Sequence, residues 1–96
     1  MENKNYYQNW LYELNEKILD KIGWILKLEL HIYELEKLIL RAEMLGVGDE
    51  PDFHVLRNNV RQWKSKHRVE TFILDDLELD AEHCKFMIKR YNDLEP

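Results

Sequence analysis

Two runs of side chains at alternating three- and four-residue intervals constrain this chain more than any other feature. The first is Leu11, Leu14, Ile18, Ile25, Leu28, Ile32, Leu35, Ile39 and Ala42, interrupted only by Lys21. The second is Phe53, Leu56, Val60, Trp63, His67, Glu70, Leu74, Leu77, Ala81, Cys84, Ile88 and Tyr91, in which only His67 and Glu70 are polar. Such spacing is the a/d seam of a helix that packs along its length on another helix. Between the runs, Gly46 suits a left-handed helix C-cap, while Asp49, Pro51 and Asp52 suit the first turn of a new helix.

The spacing predicts an all-α fold in a single domain: a helix over about 5–45, a turn over 46–52 and a helix over about 53–93. Helices of roughly 40 residues are about 60 Å long, and a short connection makes them antiparallel neighbours, a long helical hairpin. With the turn centred near residue 49, facing residues have numbers totalling about 98, so that Leu35 lies near Trp63 and Tyr7 near Tyr91. Seam hydrophobicity lapses from Lys64 to Val69, where the only serine, Ser65, sits. A kink or a third helix near 64–69 is the structural alternative.

A hairpin seam does not use up the apolar residues. They make up 45% of the chain, and the two seams take fewer than half of them. Tyr12, Leu19, Leu26, Tyr33 and Leu40 repeat every seven residues off the first seam, with Trp10, Trp24, Leu38 and Leu45 on the other flank. Phe72, Leu79 and Phe86 do the same opposite the second seam, with Val69, Ile73 and Met87 beside them. Stripes of this kind exceed what a soluble monomer normally leaves in water. The expected solution is a homodimer in which two hairpins complete a four-helix bundle. A different partner protein or a collapsed three-helix monomer are the other ways to bury them.

Charge is ordered along the second helix. Arg57, Arg61, Lys64 and Arg68 form a basic block, Asp75, Glu78 and Glu82 an acidic one, and Lys85 and Lys89 follow. One reading is a solvated flank that partly neutralises the first helix, Lys64 near Glu34 and Lys85 near Glu13. The sharper reading is a charge register, since two antiparallel copies of this helix centred on residue 69 oppose unlike charges. The same basic residues, with Lys66 and Trp63, form the only candidate nucleic-acid face. A net charge of −5 and the lack of a recognised motif argue against nucleic acid as a partner.

Residues able to carry chemistry are few. Ser65, Thr71 and Cys84 stand in no nucleophile setting, and Gly46-Val47-Gly48 is too short for a phosphate loop and follows a helix. Cys84 on the seam reads as a buried thiol. One constellation has coordination logic: His31 with Glu34 and His67 with Glu70, each pair sharing a helix face and both histidines expected at one level, a candidate site for zinc or a transition metal. Against it stands a polar layer at His67 and Glu70 that sets register.

No apolar run reaches the roughly 20 residues of a membrane span, residues 1–5 lack the basic start of a secretory signal, and a lone cysteine makes no internal disulfide. A reducing cytoplasm is expected. The expected function is that of a non-enzymatic protein–protein interaction, adaptor or scaffold module without a cofactor, with a metal-binding bundle as the alternative and a nucleic-acid-binding helical protein the less favoured one.

Overall fold

The structure, a computed structural model, describes residues 3–94. Two helices, α1 (Lys4–Met44) and α2 (Pro51–Leu94), pack against each other as a hairpin, and no strand occurs among the described residues. Asn3 caps α1: its Oδ1 accepts a hydrogen bond from the Tyr6 amide at 3.0 Å, and its carbonyl one from the Tyr7 amide at 3.2 Å. This cap satisfies an amide that the first helical turn otherwise leaves unpaired.

The other end of α1 is closed by a Schellman motif. Gly46 has φ of 78°, the left-handed region that favours glycine. The Val47 amide donates to the Ala42 carbonyl at 2.9 Å and the Gly46 amide to that of Glu43 at 3.1 Å, the paired bonds that define the motif. Arg57, from the second turn of α2, reaches back over the connection. Its Nη1 donates to the Gly48 carbonyl at 2.7 Å and its Nη2 to Glu43 Oε1 at 3.2 Å. Gly48 is buried beneath this latch. Pro51 opens α2, where its missing amide costs nothing and its fixed φ suits the helix.

Every residue of both predicted seams is buried or half-buried, the polar Lys21, His67 and Glu70 included. The chain divides into two compact units, one of residues up to Ile22 together with those from Phe72 on, the other Gly23–Thr71. In the first, Tyr7, Leu14, Ala81 and Cys84 form the buried centre, ringed by Leu11, Ile18, Leu77 and Ile88. The Tyr7 ring lies between those of His83 and Tyr91, at centroid distances of 5.9 and 6.1 Å. In the second, Ile25, Leu28, Ala42 and Val60 are buried.

No third helix forms at 64–69; α2 is one uninterrupted element. Flanking groups replace the burial that the seam lacks there. The His31 ring meets Trp63 edge-on at 4.9 Å, Lys66 Nζ sits 5.5 Å from the Trp24 ring centroid, and His67 Nε2 is hydrogen-bonded to Glu29 Oε1 at 3.0 Å. Thr71 also returns its hydroxyl to the His67 carbonyl at 2.8 Å, the local bond that lets Thr sit inside a helix.

The turn chemistry has a direct test. Gly46→Ala places a Cβ in the left-handed region and is expected to lower stability by about 1 kcal/mol. A Cβ at Gly48 meets Glu43 Cγ at 3.0 Å and Arg57 Nη2 at 3.1 Å, so Gly48→Ala is expected to loosen the latch and cost about the same. Urea unfolding followed by circular dichroism measures both; two unchanged midpoints would rule out this account of the turn.

Candidate interaction surface

A single pair of packed helices has one seam, and what lies off it stays in water. The eight residues of the predicted stripes, Tyr12, Leu19, Leu26, Tyr33 and Leu40 on α1 and Phe72, Leu79 and Phe86 on α2, are between 57% and 72% exposed. On α1, Leu30 and Met44 are exposed as well, and they fall three or four residues from the stripe positions. Together with Gly23 and Lys37 they fill it in. Within the unit that begins at Gly23, Gly23, Leu26, Leu30, Tyr33, Lys37, Leu40 and Met44 alternate by three and four as a seam does. The first helix thus carries a second, open heptad seam in addition to the one it packs on α2. A shallow depression of about 660 Å³ beside Tyr33, Leu40 and Met44 lies along it.

Seven-residue repeats alone reveal only one line of this seam, because its alternate positions include a glycine and a lysine. Gly23 has nothing within 4 Å of the place where a Cβ would stand, leaving a notch in the exposed face. On α2 the outward stripe is sparser. Phe72, Leu79 and Phe86 are separated by the polar Asp76 and His83, while Met87 packs on the buried cluster of its own unit.

Between α1 and α2 runs a row of polar pairs: the ion pairs of Glu43 with Arg57 at 3.2 Å and of Glu36 with Lys64 at 3.0 Å, then the hydrogen bond between His67 Nε2 and Glu29 Oε1 at 3.0 Å. Each is solvent-exposed to a large degree and worth about 0.2–1 kcal/mol at most. The charge-register residues are therefore partly engaged within the chain. Lys64 finds Glu36, not Glu34, and Lys85 finds Glu82 on its own helix at 3.1 Å, not Glu13. Arg68 Nη2 donates to Ser65 Oγ at 3.2 Å. No ion pair is seen for Arg61, Asp75 or Glu78 among the described residues.

The four residues with coordination logic are not brought together. His31 packs on Trp63, on one flank of the seam, whereas His67 turns to Glu29 on the other. Glu34 is exposed on the outer side of α1 and Glu70 is half-buried on the seam. Among the described residues no group of three or more His, Cys, Asp and Glu side chains converges in a way that would hold a metal. The physical reason is that antiparallel knobs interleave, so residues whose numbers total 98 need not point into a common space.

Comparison with known proteins adds nothing to this geometry. No family model, curated protein or solved structure matches the chain. Its surface must be read from its own residues, and along α1 the exposed apolar residues Leu26, Leu30, Tyr33, Leu40 and Met44 share one heptad pattern. No helix among the described residues is long and apolar enough to cross a membrane.

Cys84 is fully buried, and that burial, with the Asp80 carboxylate close by, pushes its thiol pKa up. A raised pKa means less thiolate at neutral pH, and burial denies access to what thiolate there is. In the native protein at pH 7 Cys84 is expected to react with a thiol-specific dye about a hundredfold slower or more than in denaturant, following the cost of local opening. Equal rates in the two states would contradict the packed core drawn here.

Proposed function

We propose that this chain is a non-enzymatic helical interaction module that acts by packing its exposed apolar faces on other helices, first of all those of a second copy of itself. One observation carries the reading: residues repeating at coiled-coil spacing on α1 lie open to solvent while the seam beside them is packed. Helix formers placed at such regularity without burial are costly. Each large apolar side chain left exposed forgoes about 1.5–3 kcal/mol of burial free energy, and contiguous patches of this kind mark sites of association.

Self-association is the simplest way to cover them, because two-fold homodimers need only one self-complementary surface. Two hairpins then contribute four helices to one assembly, the arrangement in which heptad-patterned helices bury more than one face. A fully buried free thiol in a chain with no second cysteine accords with a reducing compartment such as the cytoplasm.

Sedimentation equilibrium between about 1 and 200 µM, a span that brackets ordinary dimer affinities, tests the reading. The expected result is a mass approaching twice the 11.8 kDa of the chain. Tyr33→Ser with Leu40→Ser is expected to shift the mass toward the monomer while leaving helical circular dichroism in place. A single-chain mass across the whole range overturns self-association.

A further inference from the structure

We infer that the second copy docks antiparallel along the open seam of α1, in the one register that sets Lys27 against Glu34 of the other chain. This rests on the self-association reading and makes its interface specific. The rule for register is visible inside the chain. Glu36 and Lys64 each directly follow a seam residue, Leu35 and Trp63, and they meet at 3.0 Å. Glu43 and Arg57 directly follow Ala42 and Leu56, and they meet at 3.2 Å. On the open seam, Lys27 directly follows Leu26 and Glu34 directly follows Tyr33. When Leu26 of one copy lies beside Tyr33 of the other, Lys27 and Glu34 stand where the intrachain pairs stand, and two-fold symmetry makes the contact twice.

Neighbouring registers are opposed by charge. Sliding one heptad so that Tyr33 meets its own copy puts Glu34 against Glu34 and Lys27 against Arg41. Sliding the other way, so that Leu26 meets its own copy, puts Lys27 against Lys27. A parallel, in-register pair stacks Gly23 on Gly23 and Lys37 on Lys37 within the seam. Such like-charge and void-forming juxtapositions are how coiled coils reject wrong pairings. Steric fit favours the same choice, because the Tyr33 ring of one copy comes over the notch at Gly23 of the other, where nothing in the chain itself lies within 4 Å. The groups needed are free to serve: among the described residues no ion pair engages Lys27 or Glu34.

A charge-swap cycle read by sedimentation equilibrium tests this. Lys27 and Glu34 are seven residues apart on one helix, two turns, and do not touch within a chain. Lys27→Glu and Glu34→Lys are each expected to weaken the dimer about tenfold, since each puts like charges at both symmetric contacts. The double variant K27E/E34K is expected to return to within about threefold of the parent, a restoration that only contact between copies produces. Helical circular dichroism of all three variants checks that folding is kept. A dimer indifferent to the single reversals, or a double variant weaker than either single, overturns the register and leaves self-association standing. A parent chain that stays monomeric overturns both.

Discussion

Everything in this molecule follows from how little a pair of helices can hide. Each helix has one neighbour, so only a strip along the line of contact leaves water; eight apolar residues of the described chain are buried, and of these Cys84 alone is fully enclosed. Burial of a line, unlike burial of a globular centre, rewards strict periodicity. One misplaced residue turns a knob outward, and no second layer exists to catch it. The three-four spacing of both helices, apolar except at Lys21, His67 and Glu70, is the sequence counterpart of that constraint.

The line is not uniformly greasy, and the flanks make up the difference. Around His67 and Glu70 the apolar seam is thin, yet α2 continues, because Trp24, His31 and Trp63 with Lys66 wrap one side and the Glu29 and Glu36 pairs line the other. Individually these contacts are small. Placed along the same stretch they keep the two helices in register where hydrophobic contact alone would leave them free to slide.

The seams and the turn were legible from residue spacing alone, since heptad positions and a glycine before a proline each have one structural meaning. The outward stripes were legible for the same reason: they share the period of the seam and miss its phase. What spacing did not disclose is how flank residues choose partners. The reach of Arg57 to Gly48 and the choice of Glu29 by His67 depend on side-chain direction, which residue numbers do not carry. The four candidate metal ligands show the same limit, since His31 turns to Trp63 and His67 to Glu29. The lapse in hydrophobicity at 64–69 does not interrupt α2, because groups on α1 compensate for it, which one segment read in isolation cannot report.

The Schellman turn has a bearing on the path by which the chain finds its fold. It sits at mid-chain, so the sequence separation of each cross-helix contact grows steadily with distance from Gly46. Glu43 and Arg57 close a short loop, whereas Tyr7 and Tyr91 close one spanning nearly the whole polypeptide, and loop closure grows costlier with length. Zippering outward from the turn bypasses that penalty, because each pair formed shortens the loop for the next. Loop-closure entropy therefore weighs least on Gly46 and the Arg57 latch, the fastener's starting pin, and most on the aromatic cluster around Tyr7.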